Sequence, residues 1–550
     1  PQTYNTLFDF ASCTSGPGAG FTGNQLTCPG AGSAAHSQYY YPGEKPFVLD
    51  YYGIGQEQED ELLTHYGLDL RYTLADGIQI RSLSGFVHIY INHQDNNSYA
   101  PWNAGWTYHE IGPNDNYMSQ EIDIISPTSG KTNWLVGGFW NYRDTPVFVD
   151  NFVVTPPYQP GQQPAVLASL AFPSTNRIAA IFGQFNWQFT DTLQLQIGAR
   201  ENWDNNFSTQ STGAAVPGIP VTVPNGTGVY VILPPGPPCQ YAVGVTPAGK
   251  CYLALSSSLA AGAFKDSVPT GKIDLNWTPV PGQNFYVFYA RGYKSGGTNS
   301  GSTDHPVFNP EHVNDFELGW KGRLANGRML TQVGGYYYNY QNMQYSLFDP
   351  QENGDTTTGT YVANLAASTI YGIEVSEQAR FAGLGVNLGF SYNHSALGAV
   401  TTLPNYALPG GFGSPTTLPQ CLAGHSYAPG TNCFDYTPYL VNVSGEENPF
   451  APKVTGNISV DYMFHVGNGT IDPRVTFSHT DAQYDSIFEV PYNLMQARNL
   501  LDASIDWVVG RWDTQVFGTN LGNQTYIIAG GDPLYYGPPR QLGLQVLFHF

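Results

Sequence analysis

Segments of roughly ten residues in which apolar and polar side chains alternate recur throughout this chain. In one of them Ile181, Phe185 and Trp187 share a face, and Gln184 and Asn186 share the other. A repeat of two is that of a β-strand, whose successive side chains point to opposite faces. Amide side chains on the second face suit a water-filled interior better than the packed core of a sandwich. The pattern predicts long strands with one apolar and one wet face.

The final residues, RQLGLQVLFHF, show the same alternation up to the last position. Leu542, Leu544, Val546, Phe548 and Phe550 alternate with residues that are mostly not large apolar groups. We expect the first set to face lipid, because soluble chains usually end in polar, frayed residues. A strand inside a bilayer needs neighbours on both sides, so this last strand must pair with a first one.

The composition supports a membrane β-barrel and excludes other classes. No run of about 18 apolar residues is present, which excludes a helical membrane protein. Charged residues make up only 11% and aromatic residues 14%, while the mean hydropathy is only -0.25. In a membrane β-barrel, apolar lipid-facing residues alternate with polar lumen-facing residues, so the mean hydropathy of the whole chain is low. The formal charge of -21 argues against a nucleic-acid partner, which requires clustered lysine and arginine.

Pairs of strand-like segments are joined by tight turns. The segment IAAIFGQFNWQFT is followed by DT and then LQLQIGARENW, and GKIDLNWTPV is followed by PGQ and then NFYVFYARGYK. Each pair predicts a β-hairpin. Longer connections rich in glycine, proline and tyrosine separate the hairpins, and the longest run from about 205 to 264 and from about 398 to 450. Short turns at one end and long loops at the other are typical of an outer-membrane barrel.

The topology follows from these connections. We count about seventeen strands in a barrel over residues 64–550, beginning with a strand near 64–73. An odd number places residues 1–63 outside the cell, as an extracellular loop region. The alternative, a soluble propeller, predicts a repeat of roughly 40 to 50 residues, and the sequence has none.

Six cysteines form three pairs of near neighbours in the predicted outer loops. Local pairing is the simplest of the 15 possible arrangements, and it implies an oxidising compartment. A zinc site is disfavoured because neither a CxxC motif nor a His–Cys spacing is present. The pairs are Cys13 with Cys28, Cys239 with Cys251, and Cys421 with Cys433.

Several phrases, taken in order, resemble the barrel of TonB-dependent outer-membrane receptors. They are AAIFGQFNWQFTDTLQLQIGARENWD, YARGYKSGGTNSG followed by FNPEHVNDFELGWKGRLANGRM, ANLAASTIYGIEVSEQARF, FGTNLGNQTY and the closing LGLQVLFHF. Thr298 stands where the family usually has an aromatic residue before Asn299.

The resemblance implies a barrel of the 22-strand type with an N-terminal plug inside. The plug and the segment that contacts TonB are not in this sequence, so we expect them, with about five strands, to precede residue 1. It also implies uptake of a bulky, scarce nutrient such as a ferric siderophore, cobalamin, haem, a metal complex or an oligosaccharide, without a cofactor of the protein's own. The terminal aromatic residue, Phe550, is then what the barrel-assembly machinery reads.

Candidate ligand contacts are of two kinds. Trp102, Trp106, Tyr108 and His109 lie in one predicted outer loop, where aromatic rings stack on a sugar or a catechol-type chelator or belong to an interfacial girdle. The cationic candidates lie near outer strand ends, where they hold an anionic ligand or a lipopolysaccharide phosphate or remain solvated. They are Arg200, Arg291 and Lys294.

We also expect a run of tyrosines to mark the outer aromatic girdle and the lumen beside it: Tyr336, Tyr337, Tyr338 and Tyr340. No nucleophile-elbow phrase is present, so an enzyme is the least favoured class. Active import of a nutrient, with a ferric siderophore or similar chelate favoured, is the leading hypothesis. A passive porin-like channel and a structural or adhesive barrel are the alternatives. All three place the protein in the bacterial outer membrane.

Overall fold

A computed structural model describes most of the predicted barrel and several short pieces outside it. The described residues are 20–22, 25–27, 36–37, 58–96, 106–111, 114–145, 149–155, 166–171, 173–214, 231–232, 244–245, 251–253, 258–299, 305–349, 359–365, 367–399, 403–405, 440–529 and 535–549. Within this part of the chain, no helix is long and apolar enough to cross a membrane.

One antiparallel sheet of 17 strands forms the wall of the molecule, which confirms the predicted number and class of strands. The strands are β1 (Gln58–Thr73), β2 (Gln79–Asn96), β3 (Asn114–Ile125), β4 (Thr132–Thr145), β5 (Ser174–Thr190), β6 (Leu193–Ala214), β7 (Ser258–Trp277), β8 (Gln283–Lys294), β9 (Glu311–Leu324), β10 (Met329–Gln341), β11 (Ser368–Phe381), β12 (Leu384–Leu397), β13 (Val454–Tyr462, continued by Phe464–Val466), β14 (Gly469–Thr480), β15 (Arg498–Val509), β16 (Trp512–Thr519) and β17 (Gln541–Phe548).

The described residues also include short strands and two 3-10 turns. A 3-10 turn at Ala325–Gly327 joins β9 to β10, and another at Pro491–Asn493 lies outside the wall. Three short strands extend the main sheet at one end: Trp106–Ile111, Val149–Thr155 and Val166–Ala171. The other short strands form small separate sheets: Gly20–Thr22, Gln25–Thr27, His36–Ser37, Val231–Ile232, Gly244–Val245, Cys251–Leu253, Gly297–Thr298, Val307–Phe308, Gln344–Asp349, Gly359–Asn364, Leu403–Pro404, Leu440–Val441, Gln483–Tyr484, Leu494–Met495, Ile527–Ala529 and Tyr535–Tyr536.

The two ends of the wall differ in the length of their connections, as the sequence predicts. The eight connections at one end are 74–78, 126–131, 191–192, 278–282, 325–328, 382–383, 467–468 and 510–511. The connections at the other end are all longer, and we call that end the outer end. This asymmetry is the one that outer-membrane barrels have between their periplasmic and extracellular sides.

The first of the two longest predicted outer loops is shorter than expected, because its strands extend beyond the predicted limits, whereas the second, 398–453, agrees with the expected 398–450. β6 continues to Ala214 and β7 begins at Ser258, and the two remain paired up to Thr212 and Ser258. The connection that we placed at 205–264 therefore covers 215–257. Similarly, β1 begins at Gln58 rather than near residue 64.

Each strand has an apolar outward face and a polar inward face. On β9, Phe316 and Leu318 remain 51% and 66% exposed on the outward face, and on β11 Ile373 remains 52% exposed. Asp315 and Glu317 alternate with the β9 pair and point inward. Large apolar side chains that stay exposed along a whole wall are those of a lipid-facing surface.

The wall strands follow one another in chain order, but in the described strand registers the first and last of them, β1 and β17, are not paired with each other. At the outer end, Trp106–Ile111, Val149–Thr155 and Val166–Ala171 link β2 to β6. Within the described residues β1 pairs in register with β2 alone, and β17 with β16 alone. Leu542 of β17 is consequently 76% exposed. We call the gap between β1 and β17 the seam.

The last strand otherwise has the predicted orientation. Val546 pairs with Thr514, and Leu544 pairs with Val516, both on the outward face of β16. Gln545 pairs with the inward-facing Gln515. Phe550 lies outside the described residues.

Candidate functional site

The inward face of β8 to β12 carries a dense group of aromatic and polar side chains, which we call the lumen wall. Strand register places its members in neighbouring rows, because Glu317 of β9 pairs with Tyr336 of β10, and Asp315 pairs with Tyr338. Glu317, Tyr336 and Tyr338 line a cavity of about 580 Å³ that also reaches Glu374. Ligand pockets of proteins have volumes of this order.

A tyrosine, a glutamate and a lysine form the first part of the lumen wall. The Tyr286 hydroxyl donates a hydrogen bond to Glu317 Oε1 at 2.6 Å. The Lys321 ammonium lies 5.1 Å from the centre of the Tyr286 ring, which is within cation–π range. The Tyr286 ring reaches across Gly319, where a Cβ atom would lie 2.5 Å from the hydroxyl. Glycine at 319 therefore permits this arrangement.

Two stacked tyrosines form the second part. The rings of Tyr336 and Tyr338 are 4.8 Å apart and inclined by 22°. Tyr336 lies across Gly372 and donates a hydrogen bond to Asn393 Oδ1 at 3.3 Å. Between them, Tyr337 points outward and is 43% exposed. The predicted division of this tyrosine run between the lumen and the outer girdle therefore matches the structure.

The chemistry of the lumen wall is that of a binding surface. Phenol rings offer flat apolar area together with hydroxyl groups that can donate or accept, and Glu317 and Glu374 offer negative charge to a cationic group. No cluster of three or more histidine, cysteine, aspartate or glutamate side chains with metal-binding geometry occurs among the described residues.

Above the lumen wall, amide side chains join the outer loops to one another. The Asn299 amide nitrogen donates to the carbonyls of His305 and Val362 at 2.8 and 3.0 Å, and its oxygen accepts from the Val362 amide at 2.8 Å. Gln344 donates to the Ser295 and Asn309 carbonyls at 2.9 and 3.1 Å. These bonds connect the loop after β8 with the loop after β10.

Two further asparagines bind loop backbone, Asn364 between two loops and Asn520 within its own loop. Asn364 Nδ2 donates to the Asn309 and Asn342 carbonyls at 2.8 and 3.0 Å. Asn520 Nδ2 donates to the Gln524 carbonyl at 2.8 Å, and Asn520 Oδ1 accepts from the Gln524 amide at the same distance. Asn299, Asn364 and Asn520 all occur in the phrases that carry the family resemblance, so in the structure these motif residues hold loops together.

An apolar cluster packs the same outer loops against each other. Ile487, Val443 and Leu397 are 0%, 0% and 3% exposed and come from three different connections or strand ends. Leu347 and Leu365 complete the cluster. We use the term outer layer for this cluster and the amide contacts around it.

A group of carboxylates borders the outer layer. Burial raises the pKa of Glu446 to about 7, and a hydrogen bond to Glu489 and its negative charge add to the shift. Glu489 Oε1 also accepts from the Glu447 amide at 2.7 Å, and the Glu447 carboxylate pairs with Lys453 at 2.5 Å. At neutral pH Glu446 therefore exists as a mixture of its protonated and ionised forms.

The aromatic ligand candidates remain predictions. Trp102 lies outside the described residues. Trp106, Tyr108 and His109 lie in the outer strand Trp106–Ile111, of which the structure describes the backbone but not the side chains.

The cationic candidates do not form one site. Arg200 lies on the inward face of β6, with its guanidinium 5.2 Å and 5.3 Å from the rings of Phe139 and Phe182. Arg291 and Lys294 lie near the outer end of β8, where Arg291 falls in the outward register and Lys294 in the inward register.

The predicted disulfides also remain predictions. Cys251 begins the short strand Cys251–Leu253, and its side chain is not described. The other five cysteines lie outside the described residues: Cys13, Cys28, Cys239, Cys421 and Cys433.

Tyr286, Glu317 and Lys321 were not predicted from the sequence to belong to one group. Their alternation with outward-facing residues signals that they point inward. Their proximity depends on pairing between β8 and β9, which strand periodicity alone does not specify.

Comparison with known proteins identifies relatives of this wall. The family model described as TonB dependent receptor-like, beta-barrel matches residues 2–521. No curated protein matches the sequence.

Solved structures with a similar fold include the ferric yersiniabactin uptake receptor FyuA from Yersinia pestis, with a TM-score of 0.62 and 15% identity over 90% of this chain and 62% of that chain. The siderophore receptor PiuA from Acinetobacter baumannii has a TM-score of 0.62 and 14% identity over 90% of this chain and 65% of that chain. The pyoverdine outer membrane receptor FpvA from Pseudomonas aeruginosa PAO1, bound to pyoverdine, has a TM-score of 0.55 and 11% identity over 90% of this chain and 62% of that chain. The chain thus spans less than two thirds of each of these proteins, and the likeness concerns the fold.

Proposed function

Because the chain belongs to the family of TonB-dependent receptor β-barrels and is located in the bacterial outer membrane, we propose that it forms the barrel of a receptor that imports a bulky, scarce nutrient. A ferric siderophore or a similar metal chelate is the favoured substrate. The observation that carries the proposal is the lumen wall, where stacked tyrosines and paired polar groups face the barrel interior at Tyr286, Tyr336 and Tyr338.

In this proposal the lumen wall offers successive weak contacts to a passing ligand. Aromatic rings stack on planar chelating groups, and phenol hydroxyls exchange hydrogen bonds with them. Energy comes from TonB through a plug domain, and the barrel-assembly machinery inserts the protein by reading its last strand.

Growth of a deletion strain on a panel of iron chelates, haem, cobalamin and glycans tests this function. We expect the full-length protein to restore growth on one class of chelate only when TonB is active. A Tyr336→Ala, Tyr338→Ala double variant should lower uptake several-fold. Tyr337→Ala is the matched control, because Tyr337 lies on the same strand but faces lipid, and it should leave uptake unchanged. Growth that does not depend on TonB, with a large steady conductance in bilayers, would favour the passive channel instead.

We also propose that the seam is occupied in the membrane by further strands. Unpaired backbone N–H and C=O groups are costly in a bilayer, and β1 and β17 each leave one edge of such groups without a partner in the described sheet. Cysteines introduced at Tyr66 and Leu544, which lie on these edges, should therefore fail to cross-link in the intact protein. Efficient cross-linking would show that β1 and β17 pair directly.

A further inference from the structure

Two cations lie in one row across the lipid-facing surface near the outer ends of β5 to β7. Arg177 of β5 pairs in register with Asn205 of β6, and Asn205 pairs with Lys265 of β7. Both charged side chains are exposed. At about 4.8 Å per strand, their backbones lie roughly 10 Å apart, which long side chains can bridge.

The row lies directly beyond a pair of tryptophans. Ala179 of β5 pairs with Trp140 on one side and Trp203 on the other, and both rings are exposed to the outside, at 44% and 42%. Tryptophan concentrates at the level of the lipid headgroups. The next outward-facing position on β5 towards the outer end is Arg177, so the cations lie at or just beyond headgroup level.

The height of the row agrees with this placement. Arg177 is ten residues from Trp187, the aromatic residue near the periplasmic end of the same face. At about 3.3 Å per residue and a tilt of about 40°, this separation is roughly 25 Å along the membrane normal. The apolar band of an outer-membrane barrel is about 25 Å tall.

The Arg177 side chain has a fixed orientation and available donors. Its guanidinium carbon lies 5.2 Å from the centre of the Tyr142 ring on β4. Stacking uses the face of the guanidinium and leaves its N–H groups, which point outward in the plane, able to bind an anion. Neither Arg177 nor Lys265 forms an ion pair with another residue in the described part of the chain.

Carboxylates on the same face lie to either side of the row. Glu201 is on the membrane side of Trp203 and accepts a hydrogen bond from Ser267 at 2.5 Å. Asp144 lies two residues beyond Tyr142 on β4. The row itself, Arg177–Asn205–Lys265, contains two positive charges and an amide and no negative charge.

We propose that this row binds the phosphate group of an outer-leaflet lipid, as found on the phosphorylated glucosamine headgroup of lipopolysaccharide. Arg177 and Lys265 would donate charge-assisted hydrogen bonds to the phosphate, Asn205 would donate from its amide, and the two tryptophans would contact the acyl chains below. A lipid phosphate suits the site better than a dissolved anion because the row borders the membrane and faces away from the lumen.

Native mass spectrometry of the purified full-length protein with phosphorylated lipid A tests the proposal. We expect the wild-type protein to retain this lipid and to bind the enzymatically dephosphorylated lipid about tenfold more weakly, as the loss of one strong charge-assisted contact predicts. This comparison needs no altered protein. The Arg177→Gln, Lys265→Gln double variant should lose the preference for the phosphorylated form.

Two substitutions at the periplasmic end of the wall, one of a lysine and one of an arginine, are matched controls. Lys131→Gln and Arg511→Gln remove the same charges from the periplasmic turns 126–131 and 510–511 and should leave lipid retention unchanged. Equal retention of both lipid forms by the wild-type protein, or full retention by the double variant, would overturn the proposal. Displacement of the lipid by millimolar inorganic phosphate would assign the site to a free anion and would also overturn it.

Discussion

The outer layer and the lumen wall adjoin each other on the same strands, yet their polar groups are arranged differently. In the outer layer Asn299 is 8% exposed, and its side chain makes three hydrogen bonds, all to backbone atoms of the loops around it. In the lumen wall Tyr286 bonds to one other side chain, Glu317, and both line an open cavity. Satisfied, buried side chains fix a single structure, whereas partly exposed ones retain capacity to bind something else.

This difference assigns separate tasks to the two regions. The outer layer has its own buried apolar cluster, so the described loop residues around it are packed without a bound ligand. The lumen wall has no such cluster and depends on the strands for its geometry. Substitutions should therefore affect local stability in the outer layer and ligand passage in the lumen wall.

The largest expected effect is that of Ile487→Ala. Ile487 is 0% exposed within the apolar cluster, and truncating such a side chain costs about 2–5 kcal/mol. We expect amide hydrogen exchange in the described loop residues 342–349, 359–365 and 481–497 to accelerate strongly, while exchange in the strands stays slow. Ile373→Ala, the same truncation on the lipid face, should leave those loops protected. Equal acceleration in both variants would contradict a self-contained outer layer.

The next largest effect is expected for Asn299→Ala. The substitution removes the three hydrogen bonds that the Asn299 side chain makes to the backbone of His305 and Val362, at a cost of about 1–3 kcal/mol. Hydrogen exchange at the loops after β8 and β10 would measure it.

The inward face of β7, next to the lumen wall, supplies a matched control for this asparagine. Asn276 on β7 donates to Asp274 at 2.9 Å and accepts from Asn284 at 3.2 Å, both of them side chains on the inward face. Water can replace these contacts, so Asn276→Ala should cost less than about 0.5 kcal/mol. If the two alanine variants were equally destabilised, the distinction between the regions would be wrong.

Much of the wall could be predicted from periodicity and turn chemistry. The number of strands, the outward face of β17 and the division of the tyrosine run follow from alternation along each strand. The extents of β6 and β7 did not follow, because their outer parts carry small and polar residues that give no apolar face, as at Thr212 and Ser258. Strand pairing continues there because the partner strand is already aligned.

The roles of the motif residues could not be predicted from the sequence. Asn299 and Val362 are separated by 63 positions, and nothing near either of them indicates that they bond. Side chain to backbone contacts between loops depend on the register of the strands that carry those loops, here β8 to β11. Asn299, which lies in a motif shared with the family, therefore holds two loops together in the structure. Its place in the motif did not by itself distinguish this role from contact with a ligand.

The smallest expected effect concerns pH and the edge of the outer layer. The pKa of Glu446 in the folded protein, about 7, lies above its usual value of 4.5, so the folded state binds this proton more tightly than the unfolded state does. Stability from this group is therefore fully present below about pH 4.5 and is lost as the pH rises through about 7. Because Glu446 is partly exposed, solvent screening should limit the effect to a few-fold change in hydrogen exchange of residues 440–453 between pH 5 and pH 8, after correction for intrinsic rates. Glu446→Gln keeps the protonated shape at every pH and should abolish the change. If the pH dependence persisted in this variant, or if protection increased with pH in the wild-type protein, Glu446 would not be the cause of the pH dependence.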